Sequence, residues 1–418
     1  MMYTLFKHEF RKITRKKSMS ISFVCLFLCI GLLSVMFIAE CSWSDEAGNI
    51  INGPTAIALH KKQAAELEGY LTTEKLASIL AHYQIITNNP ANYTSLGAEG
   101  KDISNEVYGR EIQKYDDILD LMRRAFSPAG VYDYYVLSSI TQDDVKTFYE
   151  QRSVKIDEIL NMDYSTGNYS EAAKEYILQM NSKIEKPFYF AYTQGWADML
   201  TRGFLSILLI ISFIVCICIS PIFASEYQTG ADSIILSSRY GKNKVIIAKI
   251  LSSIVFTTCL YTVSMLFFAG LMLCFHGTTG WNAPFQMASF TSPYPLTMIQ
   301  VYLYGLAIGY MVIISITSII LFLSAIMKTS FAVVIIGALW IFVPMFIPSS
   351  KTSSLINSVL ALLPAKAMDA FTVFSVYNTY NLFGNIITLP AAITLFSACL
   401  TVIALPSAYF RFKRHQVG

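Results

Sequence analysis

The side chains best placed to do chemistry in this chain gather in one short polar stretch, Ser225-Glu226-Tyr227-Gln228-Thr229-Gly230-Ala231-Asp232-Ser233-Ile234-Ile235-Leu236-Ser237-Ser238-Arg239-Tyr240-Gly241-Lys242. It lies between two long apolar runs and brings a carboxylate, a glycine and a guanidinium close together. Such a set can make ion pairs and transmit force at a membrane surface. By itself the stretch reads as a short interfacial helix, with Ile234, Ile235 and Leu236 among the lipid headgroups. Bond-making chemistry has no comparable set. Tyr240-Gly241-Lys242-Asn243 lacks both the earlier glycine and the following Ser or Thr of a phosphate-binding loop. HExxH, GxSxG and a GxGxxG after a strand are also missing. No catalytic residue and no cofactor bound by this chain are expected.

A second, milder polar set lies inside apolar runs. Thr257, Thr258, Tyr261, Thr262 and Ser264 cluster in the third run, and Tyr302, Tyr304 and Tyr310 in the fourth. Interhelical hydrogen bonds and interfacial aromatics are one use for them. A weakly polar cavity for a translocated molecule is the other, with Thr258, Tyr261, Thr262, Tyr302, Tyr304 and Tyr310 as candidate pathway-lining residues. Full charges in the runs are almost confined to Lys249, which is near one end and is expected to snorkel. An ion-coupled carrier buries carboxylates in mid-membrane; none is visible, so the energy source is expected outside the chain. Cysteines 25, 29, 216, 218, 259, 274 and 399 fall in apolar runs, and only Cys41 borders water. No CxxC lies in a polar segment, and His60 and His82 are isolated, so no metal site is expected.

The elements that position these residues follow from hydropathy. The 418 residues are 54% hydrophobic and 14% charged, against about 25% charged in a soluble protein. Most Asp and Glu lie between Glu40 and Asp198, which indicates two solvents rather than one soluble core. A net charge of +3, with no basic face interleaved with aromatics, gives no nucleic-acid partner. The first apolar run, Met19–Ala39, follows Lys7, Arg11, Lys12, Arg15, Lys16 and Lys17. It is long for a signal peptide and has no small-x-small cleavage site. Ile38-Ala39-Glu40-Cys41 fits a lipoprotein cleavage box poorly because of the Glu, so the run reads as an uncleaved anchor.

Further runs at 204–223, 245–275, 298–327, 331–347 and 386–410 are each long enough for a span. The expected fold is an all-α polytopic membrane protein, with about six transmembrane helices and a large helical extracytoplasmic domain between the first and second. Basic residues set the orientation. The N-terminal cluster, then Arg239, Lys242, Lys244 and Lys249, then Lys328, then Arg411, Lys413 and Arg414, all fall on one side if there are six crossings. That side is the cytoplasm of a plasma-membrane protein with both termini inside. The divisions are an amphipathic N-terminal helix (1–18), a first span (19–39), the outer domain (40–202), a five-helix bundle (203–410) and a tail (411–418). The bundle contains a cytoplasmic loop at 225–243 and an outer re-entrant hairpin at 348–385.

Within the outer domain, Ile112, Tyr115, Leu119, Met122 and Phe126 make one helical face, as do Val145, Phe148, Arg152, Ile156, Ile159 and Leu160. Thr141 with Asp144 three residues on is a cap signal. Residues 56–83 and 170–183 also read as helices, the latter started by Ser170 and Glu171. Asn88-Asn89-Pro90 and Ser127-Pro128-Ala129-Gly130 break the pattern. In the hairpin, Leu355, Val359, Leu360 and Leu363 suit a short helix in the outer leaflet, and the hairpin is expected to pack on the bundle.

The loop arrangement resembles permease subunits of type-2 ATP-binding-cassette exporters. That family shows a Glu, a Gly, a Leu-Leu/Ser-Pro-like stretch, an Arg and then a Lys opening the next span. Glu226, Gly230, Leu236-Ser237-Ser238, Arg239 and Lys249 hold those places, without the usual Pro near the Arg. The resemblance extends to the N-terminal helix, with Tyr3, Phe6, Phe10 and Ile13 on one face, and to the broken hairpin before the last span. It implies a transport subunit whose loop, with Glu226, Tyr227, Gly230, Leu236 and Arg239, docks on a separate ATP-binding subunit that uses the ATP. It further implies a second permease subunit and an amphipathic substrate such as a peptide, drug or lipid-like molecule. The competing reading is a sensor or envelope-assembly protein whose outer domain binds a ligand or partner. An intramembrane enzyme lacks candidate residues.

Overall fold

A computed structural model of the chain describes residues 2–94 and 102–415, so the last three residues of the tail lie outside the described residues. Among the described residues, five helices are long and apolar enough to cross a membrane: Met19–Ala39, Gln194–Thr229, Gly241–His276, Met298–Ile326 and Leu389–Lys413. They are called here the first, second, third, fourth and sixth spans. The fifth, Ser330–Phe346, is a shorter apolar helix of 17 residues, about 25 Å at 1.5 Å per residue and the lower bound for a crossing. The fold is the expected all-α polytopic one. The first and sixth spans are 28% buried over their most apolar window, against 67% for the second and 56% for the fourth. The second and fourth are therefore the centre of the bundle. Gly309 allows their contact, since a Cβ there would come within 2.9 Å of Leu208 Cδ1.

The second helix outruns its apolar stretch at both ends. Hydropathy marks 204–223, whereas the helix begins at Gln194, passes through a π turn at Met199–Gly203 and continues to Thr229. Helical hydrogen bonding does not stop where lipid stops. Pro221 sits inside this helix and removes one backbone donor. The repair comes from the fourth span: Ser324 Oγ donates to Ser220 O (2.7 Å) and accepts from the N–H groups of Phe223 and Ala224 (both 3.0 Å). Neighbouring hydroxyls satisfy broken membrane helices in this way. Ser324→Ala, which strands three backbone groups, is expected to cost about 2 kcal/mol, read as a lower thermal midpoint in detergent.

The domain between the first and second spans contains the helices Pro54–Glu66, Thr73–Thr87, Asp116–Phe126, Phe148–Asn161 and Glu171–Ser182. The single helix expected over 56–83 is instead two. Gly69 has φ +129° and pairs in a two-residue ribbon with Phe190, and Thr72 caps the second helix by accepting from Lys75 N–H. A tertiary strand partner and a local cap thus break a pattern that is continuous in periodicity. Thr141 and Asp144 bond reciprocally: Asp144 Oδ2 accepts from both Thr141 N–H and Oγ1 (2.7 Å each), and Thr141 Oγ1 accepts from Asp144 N–H (3.3 Å). Ser170 caps the last helix through Ala173 N–H.

This domain is fastened to the loops on the same side of the bundle. Arg152, in its apolar face, is fully buried and donates to Phe290 O, Ser292 O and Asn181 Oδ1. Ser165 Oγ donates to Lys351 O (2.7 Å) and Ser354 N–H to Thr166 O (3.1 Å). The hairpin segment folds as Ser354–Ala361, Pro364–Ala367 and Ala370–Ser375, followed by a ribbon of Thr379–Leu382 with Asn385–Thr388. Ala370 lies against Gly305 of the fourth span, and Met368 Sδ is 3.9 Å from Ser212 Oγ of the second. In the first of these helices Leu360 turns inward, while Leu355, Ile356 and Val359 are exposed.

Candidate functional site

Beneath the loop joining the second and third spans lies a buried ionic cluster. Lys249 Nζ donates to Glu226 Oε1 (2.8 Å), Glu9 Oε2 (3.0 Å) and Ile222 O (3.2 Å). Lys12 Nζ binds the same Glu226 Oε1. Lys249 is 1% exposed and Glu226 3%. The snorkelling expected of Lys249 is thus corrected: its ammonium stays inside, because two carboxylates and a carbonyl match the three donors it carries. Two lysines against two glutamates leave the cluster neutral, which is what burial of such charge requires.

Glu9 and Lys12 come from the N-terminal helix, Met2–Thr14. The sequence pattern pointed to its aromatic stripe and missed Glu9. The available signal was composition, since Glu9 is the lone acid among Lys7, Arg11, Lys12, Arg15, Lys16 and Lys17. Of the stripe, Ile13 is buried and Tyr3 is exposed.

Above the cluster the loop makes two short helices. Pro221–Thr229, the end of the second span, stops at Gly230, whose φ of +67° is the left-handed conformation that ends helices without steric cost only in glycine. Ala231–Ser237 follows, and the chain turns back at Gly241, where a Cβ would sit 1.6 Å from Ile235 O. The C-terminal helix closes the other side. Tyr227 donates its hydroxyl to Ala325 O (2.9 Å), and its ring lies 5.6 Å from Phe412 and 4.5 Å from His415. His415 Nε2 is 3.1 Å from Asp232 Oδ2. Both ends of the chain therefore hold this loop.

The five loop residues singled out by sequence divide between two faces. Glu226 and Leu236 are buried and Tyr227 is half-buried, all three facing the bundle. Gly230 and Arg239 are exposed, together with Gln228, Ile234, Ser237 and Ser238. One face anchors, and the other is free to receive a partner. Gly230→Ala has open space for its Cβ, so its expected cost is conformational alone, about 1 kcal/mol. Gly241→Ala meets backbone and is expected to cost more; thermal unfolding of the two variants gives the order.

The six candidate pathway residues do not meet in one place. Thr258 Oγ1 and Tyr310 OH are 2.9 Å apart, and Tyr261 donates to Leu306 O (2.6 Å), all between the third and fourth spans. Tyr302 is buried against Trp196 and Phe204. Thr262 and Tyr304 are exposed. At the opposite end from the ionic cluster, Cys41, Asp198 and His276 place potential metal-ligand atoms within 4.8 Å of one another. Their sequence positions gave no motif.

Residues 3–417 match the model of a family described as ABC-2 family transporter protein. No curated protein and no solved structure matches the chain. Because that match takes in the domain between the first two spans as well as the bundle and both termini, the chain belongs to the ABC-2 transporter family, as a membrane permease and not as the ATPase.

Proposed function

We propose that this permease is the membrane half of an ATP-driven exporter, and that the exposed face of the 225–243 loop receives a separate ATP-binding subunit. The observation that supports this reading most is the loop's two-faced build. Its inner face is tied by Glu226 and Lys249 to the N-terminal helix and by Tyr227 and Asp232 to the C-terminal one. Its outer face offers Ile234, 74% exposed, beside Arg239. A short helix held stiffly at its base converts movement of a docked subunit into movement of spans. In this reading the loop and both termini are cytoplasmic, the 40–202 domain is outside, and a second permease copy or homologue completes the pathway. The cargo is amphipathic: a peptide, a drug or a lipid-like molecule.

The test is co-expression with candidate ATP-binding subunits from the same genome, followed by affinity purification of the permease. Arg239→Glu and Ile234→Asp are each expected to lower recovery of the ATPase about tenfold, roughly 1.4 kcal/mol, without changing the permease's thermal midpoint. Recovery equal to wild type in both variants, or no ATPase recovered with the wild type, would refute the docking face. Growth of a deletion strain against a panel of peptides and drugs then identifies the cargo.

The sensor reading keeps one supporting observation. A cavity of about 430 Å³ between the 40–202 domain and the bundle's loops is lined by Asp116, Asp120, Arg123, Tyr132 and Tyr134 of the domain and by Met287 and Phe371 of the loops. Arg123 is buried, and its Nε and Nη2 have no hydrogen-bond partner. Such a pocket suits ligand capture by the domain. Arg123→Met that abolishes a ligand response while transport persists would favour this second role.

A further inference from the structure

At the neck of the 40–202 domain, the chain leaves the first span, re-enters the second and passes the end of the third. Cys41 follows the first span, Asp198 lies in the opening turn of the second helix, and His276 is the last residue of the third. The Cys41 thiol lies 3.4 Å from Phe37 O and 3.8 Å from Asp198 Oδ2. Asp198 Oδ1 is already satisfied: Gln194 Nε2 donates to it (3.0 Å), and Arg202 Nε lies 3.7 Å away while its Nη1 binds Glu40 Oε2 (3.0 Å). Among the described residues Oδ2 has only the thiol, whose proton Phe37 O also accepts. The His276 ring is 1% exposed; its Nδ1 is 2.8 Å from Tyr192 OH, and its Nε2 is buried with no partner. An unpartnered buried imidazole nitrogen is costly unless something binds it, and a carboxylate oxygen and a thiol lie near the same ring.

We propose that Cys41, Asp198 and His276 bind one Zn²⁺ ion that clamps the ends of the first three spans at this neck. Thiolate, imidazole and carboxylate together select a borderline ion such as zinc over magnesium or calcium. Donor atoms around a tetrahedral zinc with bonds of about 2.0–2.3 Å stand roughly 3.5 Å apart, so atoms now within 4.8 Å reach it by small side-chain rotations. On binding, the Cys41 proton leaves to solvent, and thiolate and carboxylate balance the ion's two charges. His276 ligates through Nε2 while Nδ1–H donates to the Tyr192 hydroxyl, the outer hydrogen bond that orients metal-bound histidines. Cys41 is half-buried and borders a cavity of about 200 Å³ also lined by Trp43, His60, Asp117, Tyr192 and Arg202. That cavity supplies the route of the ion and room for a water as fourth ligand. The proposal is independent of the ATPase-docking face.

The experiment uses the full-length permease in detergent, freed of purification tags and stripped with a chelator, then titrated with Co²⁺ and with Zn²⁺. The expected result is one ion per chain, a thiolate-to-cobalt charge-transfer band that Zn²⁺ abolishes, and a rise in thermal midpoint. Cys41→Ser is expected to remove the band. Asp198→Asn and His276→Gln are each expected to weaken binding at least tenfold. Tyr192→Phe keeps all three ligands and is expected to weaken Co²⁺ binding about tenfold, the usual effect of losing an outer hydrogen bond. Absence of the band in the wild type overturns the site, and so does a band unchanged by Cys41→Ser; a Co²⁺ affinity unchanged by Tyr192→Phe overturns ligation of His276 through Nε2. The wild-type spectrum decides even if a ligand variant fails to fold.

Discussion

Lys249→Met is expected to lower the stability of the permease by about 3–5 kcal/mol, the cost of removing one member of a buried ionic group. The variant leaves Glu9 and Glu226 buried, with Lys12 as the remaining cation on Glu226. Glu9 then loses its main counter-charge and the N-terminal helix its firmest attachment. The triple variant Glu9→Gln, Glu226→Gln, Lys249→Met replaces charge by neutral groups of similar shape and is expected to recover most of the loss, since a buried ion pair adds little over well-packed neutral residues. Thermal unfolding in detergent, followed by size-exclusion recovery, measures both. A single variant within about 0.5 kcal/mol of wild type, the range of an ordinary surface substitution, would show that the cluster is solvated. If the proposed ATP-binding subunit co-purifies, its ATP hydrolysis in complex with the triple variant separates two roles: restored stability with lost hydrolysis assigns the charges to coupling, and recovery of both assigns them to packing.

Arg152→Leu is expected to detach the 40–202 domain from the bundle's loops, at a cost of about 3 kcal/mol or more. The substitution strands the carbonyl of Phe290 and the amide oxygen of Asn181, leaves Ser292 O with Gln286 Nε2 as its remaining donor, and each buried orphan costs about 1–3 kcal/mol. No carboxylate faces the guanidinium in this set of bonds. Burial pushes its pKa down to about 10, so it stays charged at neutral pH and its bonds are charge-assisted. Arg152→Lys is not expected to rescue, because one ammonium cannot reach three acceptors held in the plane of a guanidinium. Limited proteolysis reads the effect, as faster cleavage in the 277–297 and 348–385 connections. A cleavage rate equal to wild type would mean that the other contacts hold the domain without Arg152.

Arg152 also marks a limit of periodicity. It occupies a position in the apolar stripe of its helix, and spacing alone gives it a place facing inward but no partner. The same holds for Ser324, a small polar residue in the fourth span whose three bonds repair the helix around Pro221. Neither partner set is local: Phe290 and Ser292 lie 138 and 140 positions from Arg152, and Ser220 lies 104 from Ser324.

The sequence by itself determined the solvent of each segment. Hydrophobic run length placed the six apolar helices, because a chain in lipid must satisfy its backbone within each segment and must do so over a fixed thickness. Acidic content separated the domain between the first two spans, and cap residues such as Ser170 set helix starts, all within a few residues of where they act. Tertiary structure alone decided how charge is neutralised. Lys249 read as a snorkelling residue because its nearest candidate partner is 23 positions away and the other, Glu9, is 240 away. The two faces of the 225–243 loop, and the meeting of Cys41, Asp198 and His276, are likewise products of which helix ends lie side by side. Burial pattern is a local property that each segment carries in its own composition. Electrostatic and ligand partnerships belong to pairs of segments, and become fixed only when the helices pack.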